Sequence, residues 1–334
     1  MSTKYLKRFF KPRSIAVFGA SERENSMGGV VLQNLLEGGF QGTLMAVNKQ
    51  GYDQVYGVTC YQSIGDMPEM PELAIICSPP DAVPHLIRKL GANEVRAAMI
   101  LTGGLSKAQN NSMQSLKDAV VEAARPYGIR ILGPDCMGLL VPGHNMNASY
   151  SHLNIKKGKV AYVGQSGILG TAMIDWANGQ DIGFSSFLTL GGSVDVDLPS
   201  VIDYLANDPY TQAILIQIDT INCSSHFISA LRAASRNKLV LVLKSNINLL
   251  LGDSSHELLP PGIDSADRVI DTVLNRVGVV RVSTTDELFD ALETLTTVKP
   301  LRGPRLAIVG NGMGPNAIAA ERLLRHQGKL ARLT

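Results

Sequence analysis

The stretch SIAVFGASERENSMGG, residues 14–29, begins as a short apolar run. It breaks at a glycine and passes through a small polar loop before helical residues resume. An apolar run of this length reads as a strand covered on both faces, as in a parallel sheet. Similar runs recur along the chain: TLMAVN (43–48), LAIICS (73–78), AAMILT (97–102), IRILGP (129–134), VAYVGQ (160–165), SSFLTLG (185–191), AILIQID (213–219), LVLVLKS (239–245), VVRV (279–282) and LAIVGN (306–311). Between them lie segments of helical periodicity, such as VVLQNLLEGG and MQSLKDAVVEAARPYG, with glycine near their ends. Strand and helix alternate throughout, so the fold class is doubly wound α/β. Ligands of such sheets bind beyond the carboxyl ends of the strands, which directs attention to the loops after them.

The bulk numbers set the frame. A chain of 334 residues suggests two domains and part of a third. Its 45% hydrophobic content can fill a sizeable core, and a net charge of +2 gives no reason to expect nucleic acid or an anionic membrane as partner. No apolar run approaches the roughly 18 to 20 residues of a membrane span. The basic start MSTKYLKRFFKPRS is followed by no apolar signal region, so the sequence reads as cytoplasmic. Cys60, Cys77, Cys136 and Cys223 are far apart and read as buried thiols, with no metal knuckle. Two breaks interrupt the alternation. Residues 141–159 are polar and without period, and a domain boundary is placed there. Residues 298–305 read as a linker to a last strand and helix. A lone strand and helix cannot cover a sheet face, so this tail reads as the opening of a truncated third domain.

The loop 19–29 carries glycine and leads into a helix, whose free N–H groups suit a phosphate. It lacks the dinucleotide fingerprint, because Ser21 and Glu24 stand where glycines are needed. No acidic residue ends the second strand to hold an adenosine ribose; Asn48 and Lys49 stand there. An NAD-dependent oxidoreductase is therefore disfavoured. The loops VNKQG (47–51), CSPP (77–80), TGGLS (102–106) and GPDCMG (133–138) occupy the remaining strand ends. GQSG (164–167) precedes a helix, and Ser166 serves either as its N-cap or as part of an anion site. Asp195 and Asp197 of GGSVDVD read as turn and cap residues.

Taken together and in order, SIAVFGAS, AVNKQG, CSPP, GPDCMGL, GQSGILGTAM and VLVLKS resemble the NDP-forming acyl-CoA synthetases, relatives of the succinyl-CoA synthetase α subunit. The resemblance implies a Rossmann-like CoA-binding domain over 1–145 and a flavodoxin-like, succinyl-CoA synthetase-like domain over 155–298. The start of a third α/β domain would occupy 303–334. It implies CoA or acetyl-CoA as cofactor, with no metal. By position, Gly19, Ala20 and Ser21 would hold the CoA phosphates, with Asn48 and Lys49 in the same pocket. Ser78, Pro79, Pro80, Thr102 and Gly103 would flank the pantetheine side. Gln165, Ser166 and Gly167 would hold phosphate. The family has asparagine where this chain has Asp135, which replaces an amide donor with a charge near the thioester end.

GDSSHELLPPG (252–262) bears on catalysis. Active members of the family phosphorylate a histidine in an S-H-T-G-A loop. Counting back from Gly278 places that position near Leu259 rather than His256, and Pro260 and Pro261 stiffen the loop. Asp219 stands where the family's glutamate partner would be. Loss of this histidine resembles the Pat-type bacterial protein lysine acetyltransferases. The leading expectation is then a CoA- or acetyl-CoA-binding regulatory region. The resemblance implies an ATP-grasp and a GNAT domain in the full protein, protein substrates with acetylatable lysines and a homo-oligomer. The alternative is the catalytic α-type portion of an ADP-forming acyl-CoA ligase, with His256 as phosphohistidine assisted by Gln165, Ser166 and Asp219.

Overall fold

Parallel strands sandwiched between helices expose no polar edge along their length, and most strands of the computed structural model are buried nearly end to end. The structure describes residues 3–107, 115–219, 225–244, 265–297 and 303–332. Residues 1–296 form one compact unit and 297–334 a second.

Two seven-stranded sheets make up the first unit. One contains β1 (Ser14–Phe18), β2 (Thr43–Val47), β3 (Gln54–Val55), β4 (Val58–Tyr61), β5 (Leu73–Ile76), β6 (Ala97–Ile100) and β7 (Arg130–Leu132), in the order β3-β4-β2-β1-β5-β6-β7. β1 pairs in parallel with β2 on one side and β5 on the other, so the chain order reverses at β1. The other sheet contains β8 (Gly138–Val141), β9 (Met146–Ser149), β10 (Lys156–Gly164), β11 (Gly183–Thr189), β12 (Ala213–Ile218), β13 (Leu239–Lys244) and β14 (Val280–Val282), in the order β14-β13-β12-β10-β11-β8-β9. Nine helices belong to this unit among the described residues: α1 (Lys7–Phe10), α2 (Met27–Glu37), α3 (Val83–Ala92), α4 (Leu116–Ala124), α5 (Gly167–Gly179), α6 (Leu198–Ala206), α7 (Ser225–Ser235), α8 (Ser265–Arg276) and α9 (Thr285–Thr297). Both sheets are α/β layers, one Rossmann-like and one flavodoxin-like, as expected.

The stretch 141–159 differs from its reading as an aperiodic loop. Residues 138–149 form the antiparallel hairpin β8–β9, and β8 pairs antiparallel with β11. The chain therefore changes sheets between β7 and β8, at 133–137. Strand β9 escapes a reading by alternation because all four of its residues are buried, Asn147 and Ser149 included. Those two satisfy each other, the Ser149 hydroxyl donating to Asn147 Oδ1 at 2.7 Å. Helix α2 packs on β9, and the Asn34 amide donates to the carbonyls of Ser149 and Ser151, each at 2.8 Å.

The loop after β11 joins the sheets from the other side. Gly192 N–H donates to the Pro134 carbonyl (2.6 Å), Val194 to Gly133 (3.2 Å) and Val196 to Ile131 (2.9 Å). Asp195 accepts from Arg130 Nε at 2.7 Å and from the Ile131 N–H at 2.9 Å. Asp197 caps α6, accepting from Ser200 N–H at 3.1 Å. Both acids are thus structural, in line with the turn-and-cap reading.

In the second unit, β15 (Arg305–Leu306) pairs in parallel with β16 (Lys329–Leu330), and α10 (Met313–Arg325) lies between them in sequence. No described residue of this unit is buried. The strand expected over 306–311 ends at Leu306. A two-residue ladder with one partner offers the following residues no further bonds.

The Arg130–Asp195 pair yields a test. Replacing Asp195 with alanine leaves the mostly buried Arg130 guanidinium without this carboxylate and removes the acceptor for the Ile131 N–H. We expect a loss of about 2 kcal/mol in urea unfolding. Asp195→Asn, which keeps an acceptor, should lose less.

Candidate functional site

The carboxyl end of β1 sets the geometry. Gly19 has φ +90°, and a Cβ there would stand 2.8 Å from the Cys77 carbonyl oxygen. Only glycine lets the chain turn this sharply against the next strand end. A Cβ on Gly28, in the first turn of α2, would stand 2.3 Å from the Gly19 carbonyl oxygen. This close approach brings the start of α2 onto the loop, and Ser26 caps the helix by accepting from Gly29 N–H. The dinucleotide fingerprint is absent, yet a later glycine does the same packing work.

Around this turn the neighbouring strand ends are tied in. The Asn48 amide donates to the Ala20 carbonyl at 2.6 Å and accepts from Gln50 N–H at 3.0 Å. Ser21 is buried and its hydroxyl oxygen accepts from Arg23 N–H at 3.1 Å. Thr102 is buried, and its hydroxyl donates to the Ser78 carbonyl at 2.7 Å. These loops enclose a cleft of about 640 Å³. Gly19, Ser21, Asn48, Lys49, Ser78 and Pro79 all line it. Ala20 and Pro80 are adjacent to lining residues in the chain. Arg23, His85 and Lys89 also line the cleft, and among the described residues no carboxylate does. A cleft of this size lined by the cations Arg23, Lys49 and Lys89 suits a polyanionic ligand with an organic body. Sequence reasoning missed Arg23, His85 and Lys89. Arg23 sat unremarked inside the quoted loop, and His85 and Lys89 are one helical turn apart on α3, directly after CSPP.

Thr102, Gly103 and Asp135 lie outside the lining of this cleft and beside one another, the Asp135 N–H donating to the Thr102 carbonyl at 3.4 Å. Asp135 has φ +59°, and its Oδ1 accepts from Gly104 N–H at 2.9 Å. The carboxylate is exposed but engaged, so it is less a loose charge than the substitution implied. Aspartate tolerates this left-handed backbone, as asparagine does.

The turn 165–167 occupies the end of β10. Ser166 caps α5, its hydroxyl oxygen accepting from Leu169 N–H at 3.3 Å. The backbone N–H groups of Gln165 and Ser166 both donate to Gln217 Oε1, each at 3.0 Å. They are therefore not available to an anion in this arrangement. Gly167 and Ile168 N–H carry no bond among the described residues and are the donors left at this helix start. Asp219 follows β12, and its N–H donates to Gln165 Oε1 at 2.7 Å. His256 lies outside the described residues. Among the described residues, no group of three His, Cys, Asp or Glu is placed to hold a metal, and no helix is long and apolar enough to cross a membrane.

A CoA binding domain model matches residues 13–142, and a succinyl-CoA ligase like flavodoxin domain model matches 157–295. The chain is 31% identical over 328 residues to the acetate–CoA ligase (ADP-forming) II subunit alpha of Pyrococcus furiosus, covering 98% of this chain and 70% of that one. It is 32% identical over 318 residues to acetate–CoA ligase (ADP-forming) I of Archaeoglobus fulgidus, covering 95% of this chain and 45% of that one. It thus spans less than half of that longer ligase. The dinucleotide forming acetyl-coenzyme A synthetase 1 of Ca. Korarchaeum cryptofilum, in complex with phosphate and ADP, superposes with a TM-score of 0.88 at 28% identity, over 98% of this chain and 70% of that one.

Two outcomes test this site. Gly28→Ala should cost about 2 kcal/mol in denaturant unfolding, because the Gly19 backbone must move. Gly179→Ala, with open space around its Cβ position, should change stability by less than about 0.5 kcal/mol. The buried Cys136 thiol and the half-buried Cys77 thiol add a pH dependence. Burial pushes the Cys136 thiol up to about 12, and burial also pushes Cys77 up. The unfolded chain loses these protons first, near pH 9, so their contribution is whole below pH 9 and falls away as pH rises towards 12. A Cys77→Ala, Cys136→Ala double variant should show a shallower alkaline loss in unfolding midpoint.

Proposed function

Because this chain belongs to the NDP-forming acyl-CoA synthetase family, α-subunit-like with a succinyl-CoA ligase-like domain, we propose that it is the α-type portion of an ADP-forming acyl-CoA ligase. In this reading the cleft at the end of β1 takes CoA or its acyl thioester. The observation that carries it is the cationic lining: Arg23, Lys49 and Lys89, without a carboxylate, around a glycine turn packed on the start of α2. The three cations offset the phosphates, and Asn48 holds the loop through the Ala20 carbonyl. The turn 165–167 handles the phosphoryl group through the Gly167 and Ile168 N–H groups, and His256 carries phosphate between acyl phosphate and nucleotide. An ATP-grasp partner, as a domain or as a separate chain, completes the reaction.

The relatives described above are ligases, which supports this reading over the regulatory acetyltransferase region suggested by loop 252–262. A GNAT domain and lysine-bearing protein substrates belong to that second reading alone.

Calorimetric titration of CoA and acetyl-CoA, with NADH as control, tests the cleft. We expect saturable binding of both CoA compounds and none of NADH. Lys49→Ala and Lys89→Ala should each weaken binding by about three- to tenfold, less at high salt. With an ATP-grasp partner and nucleotide supplied, an acid-labile phosphate should appear on the wild-type chain and be absent from His256→Ala. Undiminished turnover by His256→Ala would remove the histidine from the mechanism.

A further inference from the structure

One buried side chain ties the end of β12 to the start of α5. Gln217 is 1% exposed and lies within β12. Its Oε1 accepts from the N–H groups of Gln165 and Ser166, each at 3.0 Å. Its Nε2 donates to Asp219 Oδ1 at 2.6 Å. Asp219 N–H donates in turn to Gln165 Oε1 at 2.7 Å. The bonds close a ring through residues 165, 217 and 219. The glutamine amide meets both demands from one position, accepting two N–H bonds while donating to a carboxylate. Glutamate accepts but cannot donate when ionised. Leucine does neither, and leaves the Ser166 N–H and the Asp219 carboxylate without this partner.

We propose that Gln217 is a positioning residue. It locks the Asp219 carboxylate and the 165–166 turn into one piece, so that the first turn of α5 keeps a fixed spacing from that carboxylate. That this piece serves phosphoryl handling is the part that depends on the function proposed above. Tyr162 and Lys244 stand on the two strands that flank β12. Tyr162 on β10 is buried, its hydroxyl has no hydrogen-bond partner among the described residues, and burial with the Asp219 charge pushes its pKa up. Lys244 ends β13, in register with Ile218. A buried phenol and a lysine on the strands that flank β12 make the placement of this carboxylate matter electrostatically, and the Gln217 amide helps to set it.

The test uses the 334-residue chain and two readouts. The first is carboxyl carbon NMR of labelled Asp and Glu from about pH 4 to 9, in wild type and Gln217→Glu. Two carboxylates at this contact cannot both ionise freely. We expect Asp219 in Gln217→Glu to titrate as one member of a coupled pair, with a midpoint raised by about one pH unit or more. The Gln165 and Ser166 amide signals should follow the same midpoint. An Asp219 titration that matches wild type in Gln217→Glu would overturn the clamp. The second readout is titration of inorganic phosphate. Gln217→Ala should bind it about tenfold or more weakly than wild type, while CoA affinity stays within about twofold and so reports an intact fold. Equal phosphate affinity in the two proteins would overturn the positioning role. If wild type itself binds no phosphate, the phosphoryl reading of the turn fails, and the carboxyl titration still decides whether Gln217 holds Asp219.

Discussion

The bonds between residues 131–134 and 192–196 are the constraint on which the rest of the first unit depends. Three backbone hydrogen bonds and the Arg130–Asp195 pair join the exit of β7 to the exit of β11. The carboxyl ends of these two strands belong to different sheets, and these bonds, together with the Met137 N–H donating to Thr189 Oγ1 at 2.7 Å, fix one against the other. A Cβ at Gly191 would stand 2.2 Å from the Pro134 carbonyl oxygen, so the approach leaves no room for a side chain. Strand ends are where α/β sheets place their chemistry. A bridge located there keeps two sets of loops, one lining a cationic cleft and one opening α5, within a single rigid frame.

Much of this arrangement was legible in the chain. The apolar runs announced parallel strands because burial on both faces removes the polar alternation, and the order of loops followed from the order of runs. Ser21, Asn48, Lys49 and Ser78 could be gathered into one pocket because each follows a strand of the same sheet. What escaped has a common cause. Strands β3, β4, β8 and β9 are two to four residues long and are fixed by antiparallel partners, which leave little mark on a sequence read one run at a time. Gln217 was hidden inside a strand that looked uniformly structural, and its role depends on the register that sets β12 beside β10. His85 and Lys89 face the cleft only because α3 starts where it does. Such residues are specified by tertiary placement, and no local pattern announces them.

Cationic lining and buried thiols act on different scales. Arg23, Lys49 and Lys89 are solvated and act through the field in the cleft, so their influence declines with salt. Cys77 and Cys136 lie between the same strand ends and act through desolvation, which salt barely touches. One set tunes attraction of a ligand, and the other reports how far the strand ends are withdrawn from water.

The hairpin β8–β9 carries a consequence for synthesis. It leaves the ribosome ahead of β11, the strand that anchors it, and residues 150–182 intervene. At about 5–20 residues per second, that gap lasts seconds. Throughout it the hairpin has α2 already made and available, with the Asn34 amide matched to the carbonyls of Ser149 and Ser151. The first domain therefore supplies a cradle for an edge of the second before the second exists. An antiparallel edge that would otherwise wait unpaired, open to pairing with a neighbouring nascent chain, is sheltered by a helix completed more than a hundred residues earlier.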